Sequence, residues 1–319
     1  MNVYDHIAAN NRRTFVILCA FPIALFVIVF LSFWVGLQFT PSRPGDVMGV
    51  ALEFSLKFFP LIALVAFIWI AVSCFVGDDI ILAMAHARAI TFEENRELFR
   101  LVENTAIMAG LPTPKIYMIN DVSMNAFATG NKPESASISL TTGIVDSLDK
   151  TELQAVIAHE LAHIGNRDTR LMMITVVGIG CFIFLGEMIL RIGRGAKKSG
   201  KGILIIFVLG TACLVFGYIV APILRFALSR RREFQADATA VKIYRDPEAL
   251  ARALKKISEN PRVEALDSSP LAGNMCIADP AKAGFISRLY ATHPPIHDRI
   301  TALGNMTGRI FEHPEEGPF

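Results

Sequence analysis

The sequence predicts a mainly α-helical integral membrane protein that also carries an α+β domain with a small β-sheet. Of its 319 residues, 53% are hydrophobic, which is more than ordinary soluble domains contain. Several uncharged runs are long enough to cross a bilayer as helices, and polar segments with helix and strand patterns lie between them. The formal net charge of +2 gives no strong basic field, so we expect no nucleic-acid partner.

Residues 1–77 are predicted to form an amino-terminal transmembrane hairpin. The run Phe15–Leu37 is uncharged and long enough to cross a hydrocarbon core of about 30 Å. No small-residue cleavage site follows it, so an uncleaved anchor is favoured over a secretory signal peptide. A second apolar run covers Phe58–Gly77. Because Arg12 and Arg13 precede the first run, the positive-inside rule places the chain after this hairpin in the cytoplasm.

Residues 78–170 are expected to form the first part of the α+β domain. Glu93–Gly110 has the periodicity of an amphipathic helix, and its final glycine precedes two prolines. Lys115–Asn120 and Ala136–Thr141 are typical of β-strands. We expect the resulting small sheet to pack on the following helix and to bind an extended peptide along one edge.

That following helix carries the sequence His159-Glu160-Leu-Ala-His163. Two imidazoles four residues apart lie on one helix face, so both can bind a single metal ion, and neutral imidazole suits zinc. Glu160, beside the first histidine, can take a proton from water at the metal. Asp149 and Glu152 form the pattern of a capping box, which supports a helix here. The short motif alone also occurs by chance on solvated helices.

Residues 171–228 contain two further apolar runs, Leu171–Leu190 and Ile203–Leu224. The segment between them, residues 191–201, carries five positive charges and no acidic residue. If both runs crossed the bilayer, this basic loop would lie outside, against the positive-inside rule. We favour a spanning hairpin on the lengths of the runs, but a hairpin that packs on the membrane surface against anionic lipid stays open.

Residues 229–319 are expected to complete the site. Glu233 and Asp237 share one helix face, and a zinc ion held by two histidines needs a third protein ligand, for which Glu233 is the candidate. Asp237 could accept the second ring N–H of a ligand histidine, although both acids could simply balance nearby arginines. His293 and Arg299 could stabilise an oxyanion, but their spacing alone favours an ordinary surface helix.

Six features occur together in order: two amino-terminal spans, N-A-F-A-T-G at 125–130, H-E-L-A-H at 159–163, a hydrophobic hairpin, R-R-E-F-Q-A-D at 231–237 and T-H-P-P-I-H-D-R-I at 292–300. This combination resembles the HtpX-type membrane zinc metalloproteases, relatives of the CAAX prenyl endoproteases. The resemblance implies transmembrane helices joined to a cytoplasmic zincin-type (gluzincin) domain. It also implies a multi-pass protein of the bacterial inner membrane that degrades misfolded or damaged membrane proteins under stress.

Carried over by motif, the resemblance implies that His159, His163 and Glu233 bind one zinc ion and that Glu160 is the general base. It further implies that Asp237 supports a ligand, that His293 and Arg299 approach the site, and that Asn125 lies at the substrate edge. The expected partners are protein or peptide substrates and the lipid bilayer, with no prediction of oligomeric state. A non-catalytic zinc-containing scaffold or chaperone adaptor is the alternative, which a complete open site with Glu160 disfavours.

Overall fold

The computed structural model describes residues 3–39, 45–195, 201–259, 277 and 294–307. Packing divides the chain into two units, each built from separate segments. The helical unit contains residues 12–76 and 174–224, and the mixed unit contains residues 1–11, 77–173 and 225–319. The division into four consecutive segments that the sequence suggests, 1–77, 78–170, 171–228 and 229–319, stays a prediction.

The helical unit is built from apolar helices, most of which overlap an uncharged run of the sequence. Its helices are α1 (Val3–Gln38, which begins in the mixed unit), α2 (Val47–Lys57), α3 (Phe59–Phe75), most of α8 (Asp168–Gly195) and α9 (Lys201–Val215). Within the described part of the chain, Ile7–Gln38 and Asp168–Arg194 are long and apolar enough to cross a membrane. The pair α2 and α3, bent by 51°, would be a third span if both belong to one crossing.

The last apolar run differs from the sequence expectation. We expected a span over Ile203–Leu224, but the apolar helix that the structure contains here, Gly202–Tyr218, is shorter. A π-helical turn, Phe216–Val220, interrupts the helix, and α10 (Ala221–Tyr244) continues directly from it. A full fourth crossing therefore stays a prediction.

Aromatic side chains join the helices of this unit. The ring of Phe21 on α1 stacks on Trp69 of α3 with centroids 3.8 Å apart, and it also contacts Phe182 of α8. Gly178 allows Trp69 to pack closely against α8, because a Cβ at this position would lie 3.1 Å from the indole ring. Such close packing around a small residue is typical of helix contacts in membranes.

The mixed unit combines helices with a small sheet. Besides the ends of α1 and α8, its elements are α4 (Gly77–Met84), β1 (Arg88–Ala89), α5 (Arg96–Ala109), β2 (Lys115–Ile119), β3 (Ala126–Thr129), β4 (Ser137–Thr141), α6 (Thr142–Ser147), α7 (Lys150–Gly165), α10, α11 (Pro247–Glu259) and α12 (Ile296–Thr307). The predicted strands and the amphipathic helix before them are confirmed as β2, β4 and α5. The core lies between the sheet, α5, α7, α11 and α12.

The sheet has the order β1-β2-β4-β3, with β2 and β4 parallel and the outer pairs antiparallel. Strand β3, which packs against α7, was not predicted as a strand, because N-A-F-A-T-G lacks the β-branched alternation of a typical one. It is nevertheless buried along its whole length. The edge strand next to the histidine helix is therefore β3.

Helix α7 begins with the capping box that the sequence predicted. The side chain of Asp149 accepts from the N–H groups of Thr151 and Glu152, and Glu152 accepts from the N–H of Asp149. Such a cap contributes about 1 kcal/mol. Glu152 also accepts a bond of 2.6 Å from Nζ of Lys256, which ties the start of α7 to α11. Apolar side chains that recur at helical spacing along α7 are all buried: Leu153, Val156, Ile157, Leu161 and Ile164.

Candidate metal centre

Three buried side chains converge where α7 faces α10. The Nε2 atoms of His159 and His163 lie 3.2 Å apart. Oε2 of Glu233 lies 3.7 Å from Nε2 of His159, and Oε1 lies 3.7 Å from Nε2 of His163. One ligand atom from each residue fits within 4.8 Å of the others, which is the arrangement of a site for one metal ion.

Each imidazole is bonded through Nδ1 to a buried carboxylate. Nδ1 of His159 lies 3.0 Å from Oδ1 of Asp237, and Nδ1 of His163 lies 3.0 Å from Oδ2 of Asp168. An ionised carboxylate only accepts hydrogen bonds, so in the neutral rings each Nδ1 carries the proton and each Nε2 presents its lone pair to the other. Two lone pairs at 3.2 Å repel each other unless a proton or a cation lies between them. The pair is therefore preorganised for a cation.

Neighbouring carboxylates raise the pKa of His159. Burial lowers the pKa of the ring, but its bonds to Asp237 and Glu233 outweigh burial and raise the pKa to about 9. A metal ion that binds Nε2 must displace that proton, so metal binding releases protons. Glu233, whose Oε2 lies 3.7 Å from Nε2 of His159, is a carboxylate that also suits a divalent cation.

Arg299, on α12, binds Asp237, the carboxylate that holds His159. Its Nε and Nη2 donate to the two carboxylate oxygens of Asp237 at 2.9 and 2.7 Å, and Nη1 donates to the carbonyl of Ile277 at 2.9 Å. The helix lies at the surface and exposes His297 and Thr301, but the side chain of Arg299 is fully buried. Burial would raise the pKa of Asp237, but the Arg299 charge and its bonds lower it to about 2. The acid therefore stays ionised and can accept from His159.

Glu160 is buried beside His159 on the same helix. Burial lowers the pKa of Arg299, whereas the negative charges of Asp237, Glu233 and Glu160 raise it above its ordinary value. Glu160 therefore lies close enough to Arg299 to interact electrostatically. Its role as general base, like the ligand roles of the three converging residues, stays a prediction.

Comparison with known proteins identifies the family. Residues 93–307 match the model of peptidase family M48. The chain belongs to this family. It is 35% identical over 308 residues to a "Protease HtpX homolog" of Bacteroides fragilis, an alignment that covers 92% of this chain and 95% of that protein. A "Protease HtpX homolog" of Caldanaerobacter subterraneus is 37% identical over 313 residues, with 96% and 98% covered. The expected HtpX-type resemblance is confirmed.

A solved structure supports the M48 fold. The crystal structure of S. mikatae Ste24p superposes with a TM-score of 0.50 at 24% identity, covering 81% of this chain. The match spans 62% of the Ste24p chain, and at this identity it shows the fold alone. Together with the apolar helices, these findings identify a mainly helical membrane metalloprotease with a small mixed sheet.

Two further residues were predicted to belong to the M48 site, and the structure describes one of them, Asn125. Asn125 is buried at the start of β3, where its Oδ1 accepts from the N–H of Ala126. Its place at the substrate edge stays a prediction, and His293 lies outside the described residues.

Sequence reasoning missed Asp168 as the partner of His163. The polar run Asn166-Arg167-Asp168 after the histidine helix was the available signal.

Proposed function

We propose that this M48 protein is a zinc-dependent endopeptidase that cleaves misfolded or damaged membrane proteins on the cytoplasmic side of a bacterial inner membrane. One zinc ion per chain would be held by His159, His163 and Glu233. The observation that carries the proposal is the pair of Nε2 atoms 3.2 Å apart, each ring fixed through Nδ1 by a buried carboxylate.

The donor set fits zinc. Zinc in catalytic sites takes three nitrogen, oxygen or sulfur ligands and keeps one position open, with Zn–N distances of about 2.0–2.1 Å. Two nitrogens of a tetrahedral site with such bonds lie about 3.3 Å apart, close to the 3.2 Å found between the two rings. Calcium and magnesium prefer sites made of oxygen atoms only, and two imidazoles disfavour both.

When bound, zinc would polarise the scissile carbonyl and lower the pKa of a water molecule. Glu160 would hold the proton that this water loses and deliver it to the leaving amine. Asp237 and Asp168 keep the two rings in one tautomer, which saves reorganisation when the ligands engage. Arg299 and His293 are proposed to approach the developing oxyanion. In the structure, Arg299 bonds to Asp237 and to the carbonyl of Ile277, and its Nη1 lies 3.7 Å from Oε2 of Glu233.

Substrate binding is proposed along the outer edge of β3. Antiparallel pairing with β4 turns the backbone of Ala126 and Ala128 to that edge. At Ala126 both groups are already used, since its N–H donates to Asn125 and its carbonyl accepts from Ile277 at 2.8 Å. A peptide added as a further strand would therefore bond to Ala128.

Two observations support the proposed cytoplasmic location of the site and the proposed membrane-protein substrates. The arginines before the first span, Arg12 and Arg13, favour a cytoplasmic amino terminus and hence a cytoplasmic site. Most of the chain, including its apolar helices, aligns with relatives that are named as proteases. A peptidase anchored beside the bilayer encounters membrane proteins first.

The test is Glu160→Gln in the full-length, detergent-solubilised protein. We expect the variant to retain one equivalent of zinc and to lose cleavage of casein and of an unfolded membrane protein by a factor of at least about 10². Glu103→Gln, which changes an exposed carboxylate on α5, is the matched control and should cleave normally. Cleavage by the Glu160 variant at the wild-type rate would refute the assignment.

Metal removal separates this proposal from the scaffold alternative. Chelation should abolish cleavage by the wild-type protein, and added zinc should restore it. A wild-type protein that retains zinc tightly and cleaves none of these substrates would instead indicate a structural site in a scaffold or adaptor.

A further inference from the structure

We propose that Asn10, near the start of α1, is a positioning residue of the metal centre, acting through Asp168 on His163. The inference rests on the proposed metal-binding function and adds to it a dependence on the amino-terminal segment. The family motifs quoted above include neither Asn10 nor Asp168.

Asn10 is buried and bonded to the turn that follows the histidine helix. Its side chain is 3% exposed, and Nδ2 donates to Oδ1 of Asp168 at 2.7 Å and to the carbonyl of Asn166 at 3.0 Å. These three residues all lie in the mixed unit. A buried amide that reaches a carboxylate more than 150 positions away in the chain orients that carboxylate.

The second oxygen of the same carboxylate meets the metal centre. Oδ2 of Asp168, itself 1% exposed, lies 3.0 Å from Nδ1 of His163. With one oxygen held by Asn10, Asp168 can rotate little, so the ring of His163 keeps its orientation and tautomer. The structure thus contains a chain of bonds from Asn10 to Asp168 to His163.

The other histidine has a matching arrangement. His159 is held by Asp237, and Asp237 is held by Arg299 of α12. In both cases a helix outside α7 holds the carboxylate that holds the ring. For His159 the support is a charged, bidentate pair, whereas for His163 it is a neutral amide, which makes the His163 side the weaker of the two.

The turn between α7 and α8 makes this support necessary. Arg167 has a φ of 62°, a conformation that non-glycine residues adopt at a cost of about 1–3 kcal/mol. Asn10 bonds to the residue on each side of Arg167, and both bonds hold the turn in this conformation. Without them, we expect the turn to relax and to move Asp168 away from the ring.

The consequence concerns the whole protein. Asn10 lies near the start of the segment Ile7–Gln38, which is long enough to cross a membrane, and before its uncharged run Phe15–Leu37. Zinc retention should therefore depend on the amino-terminal segment that leads into the first span, although none of its residues is a zinc ligand.

The test measures zinc affinity of the full-length protein by competition with a chromophoric chelator. Removal of the direct outer partner of a metal ligand, here Asp168, typically costs 10–100-fold in affinity, so Asn10→Ala, which acts through Asp168, should weaken zinc binding by about 10-fold. The matched control is Asn11→Ala, the exposed neighbour of the same type, which should bind zinc as the wild type does. Unchanged affinity in Asn10→Ala would overturn the inference.

A double-mutant cycle with Asp168→Ala separates positioning from a general loss of structure. If Asn10 acts through Asp168, Asn10→Ala should cost no further affinity once Asp168 is gone. An equal loss in both backgrounds would refute the proposed route. If Asp168→Ala does not fold, Asp168→Asn serves in the same cycle. Wild-type protein that binds no zinc would refute the proposed function itself, which this experiment distinguishes from failure at Asn10.

Discussion

Replacement of Arg299 by methionine should be among the most damaging single changes in the mixed unit. The guanidinium makes two bonds to Asp237 and one to the carbonyl of Ile277, and both Arg299 and Asp237 are buried. A net hydrogen bond to a charged group contributes about 1.5–3 kcal/mol, so the two bonds to Asp237 represent about 3–6 kcal/mol. Removal of one partner of a buried ion pair costs about 3–5 kcal/mol, and the two estimates agree.

The assay is amide hydrogen exchange of α7 and α10 in detergent. A loss of about 4 kcal/mol would speed exchange through local opening by roughly 10³-fold in these helices. The variant Arg299→Met with Asp237→Asn should exchange more slowly than Arg299→Met alone, because it leaves no uncompensated buried charge. Exchange within threefold of the wild type in Arg299→Met would refute the reasoning.

The conservative variant Arg299→Lys separates two roles of the same side chain. Lysine keeps the positive charge but cannot form the bidentate fork to Asp237. If Arg299 positions His159 through Asp237, zinc affinity should fall together with kcat. If Arg299 instead binds the oxyanion, kcat should fall while zinc affinity stays at the wild-type value.

Two further predictions concern stability. Gly143→Ala should destabilise the protein by about 1–3 kcal/mol or more, because a Cβ there would overlap the backbone carbonyls of Val122 and Ser123. Thermal unfolding followed by circular dichroism measures the loss. Asp78→Asn should stabilise the protein above pH 6 by on the order of 1–2 kcal/mol and have no effect near pH 4. Burial and the neighbouring Asp79 raise the pKa of Asp78 to about 6, although the charge of Lys115 opposes this shift. Between about pH 4 and 6 the folded state therefore keeps a proton that the unfolded state has lost, and the charged carboxylate destabilises the folded state as the pH rises through this range.

Matched controls accompany both changes. Gly165→Ala, at the end of α7, would meet only ordinary van der Waals contacts and should unfold at the wild-type temperature or slightly above it. Glu103→Gln, on an exposed carboxylate, should leave the pH dependence of stability unchanged. If Gly143→Ala melted with the wild type, or if Asp78→Asn stabilised the protein equally at pH 4 and pH 8, the corresponding argument would fail.

Local patterns in the sequence were sufficient to predict the elements that carry the site. The capping box at Asp149 and the spacing of His159 and His163 act within one helix, so their geometry follows from the helical repeat. The apolar runs predicted α1 and α8 for the same reason, since length and composition alone decide whether a helix can span a bilayer. Glu233 was inferred from the need for a third ligand, and the structure brings it to 3.7 Å from both rings.

Tertiary structure alone decided which side chains support these ligands. The bond from Asn10 to Asp168 joins residues 158 positions apart, and that from Arg299 to Asp237 joins residues 62 apart. Contacts over such separations leave no periodicity in a sequence, because chain folding rather than local geometry brings the partners together. Tertiary contacts also decided that β3 is a strand. Pairing with β4 and packing on α7 hold Ala126–Thr129 extended, although the strand propensity of these residues is low.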